Sequence, residues 1–386
     1  MIRRMLAIAA ALCIAGMAWL VGRADAGVGA PLGAQRRIGT MAPGALPPDA
    51  AREARQALRE SPADGRAYGV LAQVAEAGGD AMGARQLYAT AARRWPRERL
   101  AHARLAQYAF ESGQPAAGMV HLDALLRIAP ATRIPVLTAL LPAAAESPFR
   151  TALVQRLRLD PPWRDALPAA LLAANTPGDA ALALLDALAA AGPLREAETA
   201  ARVALLDRAG RHAQARATWL ASLPSEQRAG TGLLYDGGFE HPRVSGGYGW
   251  RFRPPAGVSM GIGHGHPREG EAAMLVDFDG RAVRFDTLAQ FLALGPGEYE
   301  LRAAADNRVG STRPFAWRLT CTADGRVLLE LPLAEADGWR QVQGRFEVPA
   351  DCGRQELRLR HEARSLPERQ LRGRLWLDAM EIAHLP

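Results

Sequence analysis

The stretch Leu233-Leu234-Tyr235-Asp236-Gly237-Gly238-Phe239-Glu240 decides the fold, because the character of the sequence changes across it. Before it, from about Pro48 to Pro224, short Ala- and Leu-rich segments carry helical periodicity. After it, to Pro386, apolar and polar residues alternate in short runs separated by turn residues. Asp236-Gly237-Gly238 is a turn signal, and its apolar flanks suit the entry strand of a β domain. The expected fold is multidomain α + β. An α-solenoid of helical repeats spans 48–228, and an antiparallel β-sandwich of jelly-roll type spans 229–386.

The chain has 386 residues, enough for two domains and a targeting segment. Its 49% hydrophobic and 23% charged content is that of a folded protein. The formal charge is +7, carried entirely by Arg, because the sequence contains no Lys. A nucleic-acid surface would gather those Arg residues with aromatics. Here they alternate with carboxylates, as in Arg52-Glu53-Ala54-Arg55, so no nucleic-acid partner is expected.

Met1-Ile2-Arg3-Arg4-Met5 precedes an uncharged apolar run over 6–21, the pattern of a signal peptide or signal anchor spanning 1–26. Ala24-Asp25-Ala26 suits cleavage before Gly27, and an uncleaved anchor is the alternative. Either way the remainder is exported. The expected location is the periplasm or the periplasmic face of the inner membrane, with membrane contact only through this segment. Residues 27–47, rich in Gly, Pro and Ala, are expected to form a flexible spacer. Cys13 lies in the apolar run, which leaves Cys321 and Cys352. Two cysteines in an exported domain favour a disulfide, with two buried thiols as the alternative.

In the helical half, Pro62, Pro96 and Pro130 recur at one constant spacing. Leu71, Ala72 and Gly79 return one period later as Leu105, Ala106 and Gly113, and Ala84, Tyr88 and Ala91 complete the first period. Small residues let paired helices approach, and a closing Pro ends the second helix of each pair. This 34-residue pattern resembles the tetratricopeptide repeat, well over 48–130 and weakly over 163–224. The resemblance implies a stacked array with a concave surface for a protein partner. Residues 131–162, with prolines at 135, 142, 148, 161 and 162, are expected to be irregular helices. No carboxylate or His in this half forms a catalytic or metal-binding pattern.

In the β half, 272–278 ends in Asp279-Gly280, a hairpin signal, and 282–293 is a long strand candidate. Further alternation marks 298–303, 315–321, 326–331, 339–348, 357–361 and 374–382. Asp236-Gly237-Gly238-Phe239-Glu240, the run 294–301, Trp317 with Cys321, Trp339 with 346–349, Cys352, and 373–378 occur in order. Together they look like the galactose-binding-like jelly roll of many carbohydrate-binding modules.

That resemblance implies a structural calcium held by Glu240 and Asp378, and otherwise no cofactor. The bland alternative is that both carboxylates bond turn amides. It also implies a glycan site of stacking rings and polar groups. The candidates are Tyr248, Trp250, Trp317, Trp339, Asn307 and Arg308, with Trp376, Arg251 and Asp306 also considered. Each Trp is individually more often a core filler in so small a sandwich.

His264-Gly265-His266, with His241 and Asp277, could form a metal site, but its glycines suggest a loop and spacing supplies no third ligand. Asp277, Asp279, Asp286, Glu298 and Glu300 carry no hydrolase motif. No nucleophile elbow or phosphate loop occurs. The expected function is therefore non-catalytic, an exported scaffold of the bacterial envelope whose β-sandwich contacts a glycan or another protein, with exopolysaccharide assembly or export as a context that suits it. A carbohydrate-binding protein with the helices as spacer is the alternative, and a glycan-active hydrolase the second.

Overall fold

The structure, a computed structural model, describes residues 46, 48–228, 231–244 and 246–386. The segment over 1–26, its cleavage site and all of the spacer except Leu46 lie outside the described residues. The chain forms two compact units that divide between Ala201 and Arg202.

The first unit is helical. A hairpin of α2 (Gly65–Ala77) and α3 (Ala81–Arg94) returns one period later as α4 (Arg99–Glu111) and α5 (Pro115–Ile128). Helix α1 (Ala50–Glu60) ends one period before α3 does. Gly79 (φ +82°) and Gly113 (φ +70°) occupy the left-handed conformation that stops α2 and α4, so the chain can reverse. The small positions lie where the helices meet. Ala72, Ala84 and Ala91 are fully buried, and Tyr88 fills the space beside them. The hydroxyls of Tyr88 and Tyr108 both donate to Glu76, at 3.0 and 2.8 Å. A second link repeats with the period: Tyr68 Oη donates to the Pro62 carbonyl at 3.4 Å, and His102 Nε2 lies 3.1 Å from that of Pro96.

The order then loosens, as the prolines predict. Short 3-10 turns, Pro130–Thr132 and Leu141–Ala145, flank α6 (Arg133–Leu140), and α7 (Ser147–Arg158) follows. A third 3-10 turn (Arg164–Ala166) leads into α8 (Leu167–Leu171), α9 (Gly178–Ala191) and α10 (Glu196–Arg208). Two polar contacts, one part-buried and one buried, hold this region where hydrophobic periodicity is lost. Trp163 Nε1 donates to Asp123 at 2.8 Å. Arg164 grips the fully buried Glu198 with two bonds of 2.7 and 2.8 Å.

The second unit takes in the second half of α10, from Arg202 onward, then α11 (His212–Ser222), α12 (Ser225–Arg228) and, among its described residues, nine strands and a one-turn α13 (Leu366–Arg369). Sequence periodicity groups α11 with the helical half, but its side chains pack on the sandwich. Trp219 meets Tyr235 edge-on at 4.9 Å and packs on the Tyr248 ring at 6.2 Å, while the Tyr248 hydroxyl donates to Asp207 of α10 at 2.7 Å.

The strands are β1 (Val258–Gly263), β2 (Ala273–Ala282), β3 (Leu288–Leu292), β4 (Gly297–Asn307), β5 (Phe315–Cys321), β6 (Val327–Leu333), β7 (Arg340–Val348), β8 (Gln355–His361) and β9 (Gln370–His384). They form one sheet in the order β1-β2-β9-β4-β7 and another in the order β3-β8-β5-β6, with every pair antiparallel. Alternation decides the core. Phe315, Trp317, Leu319 and Cys321 of β5 join Met274, Val276, Leu301, Leu375 and Leu377 of the other sheet in one buried cluster. Cys321 and Cys352 are joined by a disulfide with Cα atoms 5.6 Å apart.

Three sequence expectations change here. Residues 233–240 form no strand. Their backbone is held by a buried side chain instead: Gln290 accepts from Tyr235 N at 3.0 Å and donates to its carbonyl at 2.9 Å. Gly237 meets the last strand so closely that a Cβ would overlap the Met380 carbonyl, while Met380 N donates to the Gly237 carbonyl at 3.0 Å. Asp279-Gly280 is no hairpin turn. It lies inside β2, where Gly280 (φ +99°) accompanies a register shift against β9. Finally, 282–293 is not one strand. Val283 and Phe285 enter the core as the chain crosses to the other sheet, where β3 starts.

Candidate functional site

The outer face of the five-stranded sheet carries an aromatic and charged cluster at one end. Leu375 and Leu377 point inward, so the pleat turns Trp376 outward. Register places Trp376 between Leu275 of β2 and Asp306 of β4. Its ring lies over Gly263 of β1, where a Cβ would crowd it at 2.8 Å. The β1–β2 loop then brings His266 against two indoles. It stacks on Trp339 with centroids 5.5 Å apart and planes 20° apart, and meets Trp376 edge-on at 5.5 Å. Trp339 stands immediately before β7 and, like Trp376, is half-buried.

Asp306 anchors the cluster. It is fully buried and accepts from His266 Nε2 at 2.8 Å, from Arg308 at 2.8 and 3.0 Å, and from Gly338 N at 3.2 Å. Burial alone would raise its pKa, but the Arg308 and His266 side chains and the Gly338 amide outweigh it and hold the carboxyl below its ordinary value. The Arg308 guanidinium, pinned also by Asp337 at 3.3 Å, remains half exposed. The result is two half-buried indoles, one of them faced by His266, beside a half-exposed guanidinium. It can stack on an apolar ring face and donate to hydroxyl or carboxylate oxygens.

Of the six glycan candidates, the structure brings together Trp339 and Arg308. Trp317 and Tyr248 are sealed in the interior, and Trp250 packs on Phe239 and Trp317 while its Nε1 donates to the Asp236 carbonyl at 2.9 Å. Asn307 is also buried, bonding the Leu333 carbonyl at 3.1 Å and Val309 N at 3.2 Å, so it shapes the loop without facing solvent. Arg251 lies over Phe291 at 3.6 Å, on the other sheet. Sequence reasoning weighed His266 only as a metal ligand. The alternation around Trp376 was the signal that could have placed that side chain at the site.

His264, His266, His241 and Asp277 do not converge. His264 Nδ1 lies 3.0 Å from the Glu271 carbonyl, His241 lies against the Tyr235 ring, and Asp277 pairs with Arg374 at 3.0 Å. No group of three or more His, Cys, Asp or Glu among the described residues could hold a metal ion. The calcium pair has a different job. Asp378 accepts from the amides of Arg268, Glu269 and Ala379 at 2.7, 3.0 and 2.6 Å, and Glu240 from those of Glu271 and Ala272 at 2.9 and 3.2 Å. Calcium wants about six to eight oxygen ligands. Amide donors aimed at these carboxylates have the opposite polarity, so the arrangement does not fit calcium. Among the candidate acids, Glu300 is held low by Arg302, then by Arg345, which is the wrong direction for a general acid.

Three solved carbohydrate-binding modules match part of the chain. A family 16 module shares 14% identity over 40% of this chain and 100% of its own, with a TM-score of 0.30. A family 61 module, solved with β-1,4-galactotriose, shares 16% over 40% of this chain and 98% of its own (TM-score 0.30). The family 22 xylan-binding domain from Paenibacillus barcinonensis shares 14% over 40% and 95% (TM-score 0.29). No family model and no curated protein matches the chain. The sandwich assignment rests on its own strand order and register.

Proposed function

We propose that the protein is a non-catalytic, exported envelope scaffold whose β-sandwich binds a glycan at Trp376, Trp339, His266 and Arg308. The single observation that carries this reading is that cluster: two indoles and a locked guanidinium on one outward sheet face. Pyranose rings present apolar faces to indoles and hydroxyls to guanidinium donors, so the chemistry matches. The 34-residue recurrence of the hairpins supports a tetratricopeptide-like array, whose concave face would hold a protein partner. Export through the N-terminal segment, and exopolysaccharide assembly as a context that suits this combination of domains, belong to the same proposal.

The test is affinity electrophoresis of the full chain through gels containing a panel of polysaccharides. Retardation by at least one glycan is expected. Trp376→Ala should weaken it by roughly 30-fold or more, as loss of a central aromatic contact of ~2 kcal/mol implies. Unchanged mobility across the panel, or retardation that survives Trp376→Ala and Trp339→Ala together, would sink the proposal.

A further inference from the structure

The helical unit carries a second surface that the glycan reading does not use. The turn after α1 and the turn after α3 lie on one edge of the array, because Gly65 at the start of α2 packs against Trp95 at the end of α3. Arg59, Arg93 and Arg127 hold the same place in three successive repeats, in the last turns of α1, α3 and α5. In sequence this region looks like alternating charge. In space the signs separate. Arg59, Arg93, Arg94 and Arg97 are exposed, Asp64 is buried against Arg66, and Glu98 is half-buried. Across the two turns, 59–65 and 93–99, that leaves Glu60 as the exposed carboxylate. Arg127 is partnered by Asp123 at 3.0 Å, so the unbalanced charge sits on the first two rungs.

The helix dipole accounts for one Arg at each C-terminus. It does not account for Arg97, which lies beyond the end of α3, or for Trp95 between the cations. That indole is 43% exposed and has the Arg66 guanidinium 5.4 Å from its ring. Exposed Trp flanked by Arg is the composition of a membrane–water interface, where the ring enters the headgroup layer and the cations meet anionic lipid. The chain's own apolar run at 6–21 sets the distance. The 28 residues between it and α1 reach at most ~100 Å, so a bilayer holding that run has this edge within reach.

We propose that the edge formed by Arg59, Arg93, Arg94, Trp95 and Arg97 docks on an anionic lipid bilayer. The test uses the full chain and co-sedimentation with two kinds of vesicle. One is phosphatidylcholine alone, and in the other phosphatidylglycerol replaces about a third of it. The ratio of the two partition coefficients cancels the contribution of the apolar run. At low salt the wild type should favour anionic vesicles, and about 0.5 M NaCl should abolish the preference. The triple variant Arg93→Gln, Arg94→Gln, Arg97→Gln should lower the ratio by about a hundredfold, at about fivefold per guanidinium near the surface. Its melting temperature should fall by only a few degrees, since all three side chains are exposed and the loss is that of the charges at the end of α3, about 0.3–1 kcal/mol each. A wild-type ratio near one, or a triple variant that keeps the wild-type ratio, overturns the proposal. So does a surface that ignores vesicles yet binds a soluble polyuronate through the same arginines, because an anionic polymer would then be its partner.

Discussion

Arg164→Met should be the most damaging single change in the helical unit, and its size follows from the geometry. Glu198 is fully buried and shares both oxygens with Arg164, and among the described residues its one other donor is the Arg195 amide at 2.9 Å. Arg164 also reaches the Leu157 carbonyl at 3.3 Å and Asp160 at 3.5 Å. Replacing it with an apolar chain of similar length strands a buried carboxylate, at a cost of about 3–5 kcal/mol. A unit of this size loses roughly 2–4 °C per kcal/mol, so the helical melt at 222 nm should fall by about 6–20 °C.

Adding Glu198→Met removes the stranded charge, and the double variant should recover most of the loss. A loss under about 1 kcal/mol in Arg164→Met, or a double variant as unstable as the single, would refute this account of the contact.

Three further outcomes are expected. Reducing the disulfide, or Cys321→Ala with Cys352→Ala, should destabilise the sandwich by ~3–4 kcal/mol on the chain-entropy model for its 31-residue separation, read as a lower melting temperature with dithiothreitol. His102 and His121 face each other with Nδ1 atoms 3.2 Å apart. Burial lowers both pKa values, and the charge of His102 lowers that of His121 further. The unfolded chain therefore takes up protons first, and helical stability should fall as pH drops below about 6.5, less steeply in His121→Leu. Gly237→Ala must displace the Met380 carbonyl and should lower the melting temperature of the sandwich, at a cost of about 1–3 kcal/mol; an unchanged melt would show that the last strand yields freely.

How much of this was legible beforehand depends on whether the cause was local. The 34-residue recurrence, the stops at Gly79 and Gly113 and the inward alternation of β5 follow from backbone sterics and from side-chain period, which each segment carries by itself. The division of the chain into helices and then strands was readable for the same reason. The candidate site was readable only in part. Trp339, Arg308 and Asp306 were considered, but nothing near them in sequence says that His266, forty residues before Asp306, joins them.

The stretch 233–240 shows where the boundary lies. From the sequence alone come its turn, its position between two kinds of periodicity and the core role of Phe239, which is fully buried. Its conformation was decided by tertiary contacts. Gln290, 55 residues ahead of Tyr235, satisfies the backbone that a strand partner would have taken, and Met380 fits only where Gly237 has no side chain. The same holds for the tryptophans. Composition says that a sandwich needs large rings, but which ring is sealed and which faces solvent depends on pairing across sheets, and pairing is not a property of any one segment.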